Sequence, residues 1–232
     1  MGRRYFFLLP AILAATAIFI SCTDFFSTSW APWAVRDPDK MIPTVTADNV
    51  DELIAMAENN PDLSLALLKK IQAAAAKASG ADRIKLQGAA LQTAVNAAGL
   101  GQAVLNAAGE LTSVDSIDGG RQLVMDALNS MKNLDDSCSV LPSILPDPSD
   151  TEAFDAFTES ADIDDLALTA ALLIAGEANK HESPDDYVDS FDSNRPQSPN
   201  EELAVKMIEA VQARQDELSG SLEDVLKGLN LL

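Results

Sequence analysis

From residue 47 onward the chain is cut into helix-length pieces by residues that start and stop helices, and no piece alternates apolar with polar side chains. That combination excludes most sheet architectures, because a half-buried strand needs a period of two. Asn49 with Glu52 fits an N-cap and its partner three residues on, opening a helix to about Asn59. Asn60 followed by Pro61 opens a second, whose Leu63, Leu67, Leu68, Ile71 and Ala75 share one face and whose C-terminal end suits Gly80. A third segment starts near Asp82 and carries Ile84, Leu91 and Val95, with Gly88, Ala89 and Ala90 keeping its middle thin.

Two copies of a small-residue pattern follow, Val95-Asn96-Ala97-Ala98-Gly99 and Leu105-Asn106-Ala107-Ala108-Gly109, as expected where helices approach closely. Another helix is expected over residues 116–134, with Ile117, Val124, Leu128 and Met131 in register. Pro142, Pro146 and Pro148 then make residues 135–149 a loop. Beyond it, Ser149 and Glu152 form a capping box before Phe154 and Phe157, and Asp162 opens the most apolar helix, about residues 166–175. After an acidic break at 182–199, Ser198, Pro199 and Glu201 start a helix lined by Leu203, Met207, Val211 and Leu218. Ser221 with Asp224 caps a last one, sealed by Leu222, Val225, Leu226 and Leu229.

Alanine and leucine supply most of the apolar content while aromatics make up only 5%, which favours helices over a β-sandwich. The fold class is therefore all-α, a bundle or short solenoid of antiparallel helical hairpins. Its expected parts are a signal segment (1–21), a tether (22–46), an N-terminal helical lobe (47–134), a Pro-rich loop (135–149) and a C-terminal helical lobe (150–232) packed on the first.

The first 22 residues are an export address: Arg3 and Arg4, an apolar run over residues 5–20, then Ser21 and Cys22. At about 16 residues and interrupted by Pro10, the run is short for a bilayer span. Phe19-Ile20-Ser21-Cys22 resembles the lipobox of bacterial lipoproteins, with Phe19 where that family usually has Leu, Val or Ile. The resemblance implies cleavage before Cys22, a diacylglycerol thioether on its sulfur and commonly an N-acyl chain. Two or more acyl chains hold a protein stably to a membrane that it does not span. An ordinary cleaved signal would instead leave Cys22 free to pair with Cys138, the only other cysteine, in an oxidising compartment. If Cys22 is lipidated, Cys138 is a lone thiol; flanked by Asp135 and Asp136 it is a poor nucleophile and reads as a loop or partly buried cysteine. In the tether, Phe25, Phe26, Trp30 and Trp33 suit either the membrane interface or a lid on the domain.

Removing residues 1–21 takes away two arginines and no acid, so a net charge of −20 becomes −22. A surface of that sign repels nucleic acid and anionic lipid headgroups, so neither is expected as a partner. His181 is the sole histidine, which excludes most zinc sites and any Ser-His-Asp arrangement with a spare base, and its place at a helix end is an ordinary one. No phosphate-binding loop, nucleophile elbow or His-Glu-x-x-His is present. The one acidic constellation is Asp185, Asp186, Asp189 and Asp192, interleaved with Tyr187 and Phe191. Carboxylates of one loop can take a hard cation such as calcium, but spacing of three reads equally as one face of a solvated helical turn, and no resident metal is expected.

The runs of paired helices are similar in outline to the TPR-like lipoproteins of bacterial envelopes, including the T component of tripartite ATP-independent periplasmic transporters. Ala57-Glu58-Asn59-Asn60-Pro61 resembles one repeat end, and no 34-residue repeat aligns along the chain. The resemblance implies a helical scaffold with a concave or pore-like ligand surface. The expected function is a non-catalytic, lipid-anchored binding or scaffolding module of the cell envelope, without a cofactor beyond the covalent lipid. Its expected partners are the membrane and an envelope protein or small ligand. The alternatives are a transport-associated ligand-binding component and, from another class, an envelope hydrolase using paired carboxylates.

Overall fold

The computed structural model describes residues 37–100 and 131–219. Cys22, the four tether aromatics, the second small-residue copy, residues 116–130 and the helix expected from Ser221 lie outside them. A single helical turn, Pro38–Met41, belongs to a first unit ending at Met41. The second unit, from Ile42 onward, is all-α. Its helices are α1 (Val50–Ala57), α2 (Pro61–Ala75), α3 (Gly80–Ala98), α4 (Leu134–Val140), α5 (Thr151–Ser160), α6 (Ile163–Ala178), α7 (Pro184–Ser190) and α8 (Pro199–Ala213). No strand occurs among the described residues.

Local chemistry sets several helix starts as expected. Asn60 Oδ1 accepts from Leu63 N–H at 3.1 Å with Pro61 in the first turn, and Ser198 Oγ accepts from Glu201 N–H at 3.2 Å ahead of Pro199. Asp162 Oδ1 takes both Asp164 and Asp165 N–H groups at the start of α6. Elsewhere the expectation needs correction. Asn49 does not cap α1; its amide ties the preceding segment, accepting from Thr46 N–H and donating to Thr44 C=O. Asp150, not Ser149, caps α5 by accepting from Ala153 N–H, because Ser149 is held in a turn by Asp147 Oδ1. Gly80 does not end α2, which stops at Ala75. It opens α3 at φ 57°, a left-handed conformation that costs glycine nothing. Gly99 is the residue that ends a helix in this way, closing α3 at φ 72°.

The largest correction concerns residues 135–149. The expected loop begins with a helix, α4, continued by a 3-10 turn over Leu141–Ser143. Pro142 forbids regular helix only from the residue before it onward, which leaves the preceding seven residues free to coil and bury Leu134, Ser137, Cys138 and Val140. Upstream, residues 131–133 are not helical, and Asn133 takes a left-handed φ of 49°.

The two principal interhelical contacts are α2 with α3 and α6 with α8, and α3 also packs on α6. The two expected lobes thus meet where α3 packs on α5 and α6, with α4 against helices of both, and a continuous apolar core runs from Ile42 to Leu218. Leu67, Leu68, Ile71, Leu91, Leu166, Leu172 and Leu173 are fully buried in it. Each such side chain contributes roughly 1.5–3 kcal/mol of burial. The thin stripe of α3 that meets its neighbours is Ala90, Ala94, Ala97 and Ala98, all with no exposure. Gly88, expected to share that role, faces open space. No helix among the described residues is long and apolar enough to cross a membrane.

Candidate functional site

Two regions combine polar chemistry with a defined geometry. The first is where the loop after α6 and helix α7 meet α8. Glu177, in the last turn of α6, is 6% exposed, and its Oε1 accepts from Lys180 Nζ at 2.6 Å and Asn200 Nδ2 at 2.7 Å. Burial pushes the Glu177 carboxyl up, but the hydrogen bonds from Lys180 and Asn200 outweigh it and hold the group below the usual glutamate range. Glu201, 5% exposed at the start of α8, accepts from Tyr187 O–H at 2.7 Å and from Gln197 N–H. Desolvation and the Glu201 carboxylate push the Tyr187 phenol above its ordinary range. His181 stacks on Tyr187 with ring centroids 4.5 Å apart and is exposed to solvent.

These groups form an anchoring network. Both buried carboxylates spend their oxygens on donors from neighbouring segments, which ties α7 and the chain before α8 to the core. Of the four aspartates proposed for a cation, Asp186 is exposed and Asp192 Oδ1 accepts from Asn194 N–H and Nδ2–H. The side chains of Asp185 and Asp189 lie outside the description. Among the described residues no three or more His, Cys, Asp or Glu side chains are grouped to hold a metal ion. Tyr187 and Phe191, between those aspartates, pack against the core instead.

Cys138 is a helical, buried residue, correcting the expectation of a loop position. Its Sγ–H donates to Leu172 C=O at 3.4 Å, and burial pushes the thiol up to about 12. The nearby Lys180 ammonium opposes that shift without overcoming it.

The second region is an open groove of about 420 Å³ on the face of α2. Residues 43–47 line it opposite Lys70, Ala73, Ala74, Lys77 and Ala78 of α2 and the turn after it, and Asp82 and Leu86 complete the lining. Lys70 Nζ donates to Ile42 C=O, which ties the segment before α1 to α2. A further groove of about 390 Å³ between α5 and α8 is lined by Phe154, Asp155 and Glu159 and by cations already held locally: Lys206 pairs with Glu209, and Arg214 holds Glu217 and the Thr158 and Ala161 carbonyls. Neither groove includes Glu177 or Glu201. The α2 groove had a signal in the sequence, lysines at i and i+7 separated by alanines, but only the fold puts residues 43–47 opposite them.

No protein-family model, curated protein or solved structure matches the chain. Its functional reading therefore rests on its own residues.

Proposed function

We propose that this chain is the precursor of a lipid-anchored, non-catalytic binding or scaffolding module of a bacterial cell envelope. The observation that carries the proposal is the sequence Phe19-Ile20-Ser21-Cys22 at the end of an apolar run preceded by Arg3 and Arg4. Acyl chains on Cys22 would tether the helical domain through residues 23–46, with Phe25, Phe26, Trp30 and Trp33 near the membrane interface or against the domain. The open groove on α2 favours the ligand- or partner-holding version of this reading, transport-associated components included. The hydrolase alternative draws no support from Glu177 and Glu201, whose oxygens are bonded to Lys180, Asn200, Tyr187 and Gln197.

The test is mass spectrometry of the intact protein and its N-terminal peptide from the native membrane, beside a Cys22→Ala variant. A chain beginning at Cys22 with added diacylglycerol and acyl mass, absent in the variant, supports the anchor. An unmodified N-terminus refutes it and returns Cys22 as a partner for a thiol elsewhere.

A further inference from the structure

We propose that the α2 groove binds an extended acidic segment of a partner polypeptide, one carboxylate meeting Lys70 and another Lys77, with an apolar side chain between them on Ala73 and Ala74. This deepens the binding-module reading and rests on it, though not on the lipid anchor.

Charge singles the groove out. Residues 63–109 hold five of the sixteen Lys and Arg residues and only one of the thirty-six acids, Asp82, so that stretch carries +4 while the rest of the chain carries −24. Cations elsewhere divide: Lys85 pairs with Asp51, Lys180 with Glu177, Lys206 with Glu209 and Arg214 with Glu217, while Lys132 and Arg195, far apart in sequence, pair with no carboxylate among the described residues. Lys69, Lys70, Lys77 and Arg83 pair with no carboxylate among the described residues. In a protein so rich in acids, a cluster of unpaired cations beside a groove is an electrostatic complement waiting for an anion. Asp82 is the single acid in the lining and turns incoming carboxylates toward the two lysines.

Shape narrows the anion to a peptide. Lys70 of α2 and Lys77 of the turn that continues it both line the groove, and seven residues at a helical rise span about 10 Å. Acids at positions i and i+4 of an extended chain lie roughly 13 Å apart on one face, within reach of two flexible lysine stems. The residue at i+2, on that same face, then lies over the alanines, whose methyl groups leave space for it. The opposite wall is backbone outside any helix, in which Thr44 and Thr46 are exposed and Thr44 N–H has no partner among the described residues. A free N–H of that kind can take a backbone carbonyl of an incoming peptide. An inorganic polyanion would leave the apolar floor unused. Charges farther off than the Debye length of about 8 Å are largely screened, so a short segment confined to the groove escapes the −24 of the rest of the chain, whereas a whole acidic face would be brought within reach of it.

The probe is a fluorescein-labelled peptide, Gly-Ser-Glu-Ser-Val-Ser-Glu-Ser-Gly, titrated by fluorescence anisotropy with the full-length chain, beside its Glu→Gln counterpart. Saturable binding is expected that weakens as salt rises, is at least tenfold weaker for the Gln peptide, and falls at least fivefold in Lys77→Glu and in Ala73→Leu. Both positions are exposed, so circular dichroism should be unchanged, and Lys206→Glu should bind as the parent does. No saturable binding, or binding indifferent to Lys77→Glu, overturns the proposal. So does Lys77-dependent sedimentation with phosphatidylglycerol vesicles without peptide binding, which would assign the lysines to a lipid surface. Self-association abolished by Lys77→Glu, again without peptide binding, would assign them to a second copy. Failure here leaves the lipid anchor standing, and an unmodified Cys22 leaves the groove standing.

Discussion

Gly176 is where α6 lets α4 approach, and Gly176→Ala measures how much that approach is worth. A methyl built on Gly176 would fall far inside contact distance of Cys138 Sγ and 3.1 Å from Cys138 Cβ. Neither atom is the far end of a flexible side chain, and Cys138 is buried with its thiol on Leu172 C=O, so relief requires moving α4. Overpacking of this kind costs about 1–3 kcal/mol, while replacing a helix-interior glycine by alanine returns about 1 kcal/mol. The expected net loss is roughly 0–2 kcal/mol. Adding Cys138→Ala removes the sulfur that the methyl strikes, so the double variant should be less destabilised than the two singles summed, by about 1–2 kcal/mol. Urea unfolding of the four proteins, followed by far-UV circular dichroism, reads that coupling directly. Stabilisation by Gly176→Ala alone, or additivity to within about 0.5 kcal/mol, would refute the close packing of α4 on α6.

Gly88, in contrast, meets nothing within 4 Å, so Gly88→Ala should stabilise the protein by about 0.5–1 kcal/mol in the same assay. Thr169 Oγ1 is buried with no hydrogen-bond partner among the described residues, and Thr169→Val should stabilise by about 1 kcal/mol; destabilisation would reveal a buried water serving that hydroxyl. Burial, with Asp162 and Asp164 beside it, pushes the Asp165 carboxyl up to about 7. The folded state then holds a proton that the unfolded chain releases between about pH 4 and 7, so its contribution is complete below pH 4 and lost as pH rises through 7. Asp165→Asn should flatten that decline by about 2 kcal/mol after discounting for partial exposure, measured as melting temperature against pH. Tyr187→Phe deletes a donor to buried Glu201 and should cost about 1–3 kcal/mol, with faster amide hydrogen exchange across α7; unchanged exchange would show that the hydrogen bond does not hold α7 in place.

Much of the fold was readable from residues that act over three or four positions. Asn60-Pro61, Asp162 and Ser198-Pro199 cap helices through their own side chains, and that geometry depends on nothing distant. Where expectation failed, a competing local bond or a distant neighbour decided. Asp147 takes Ser149 away from α5, Asn49 binds back to Thr44 and Thr46, and α4 exists because Leu134 and Cys138 have α6 to pack against.

The candidate sites divide along the same line. The lipobox resemblance, the net charge and the scarcity of catalytic residue types are properties of composition and spacing, complete before any folding. The Glu177–Asn200 pair spans 23 residues and the α2 groove needs residues 43–47 to lie along a helix ending at Ala75. No short-range pattern encodes such meetings, because a long-range contact is chosen by which faces can be buried together once loops are closed. Periodicity and caps therefore make this chain helical. Burial made Glu177 and Glu201 anchoring groups, and close packing leaves no room for a methyl at Gly176 while leaving Gly88 free.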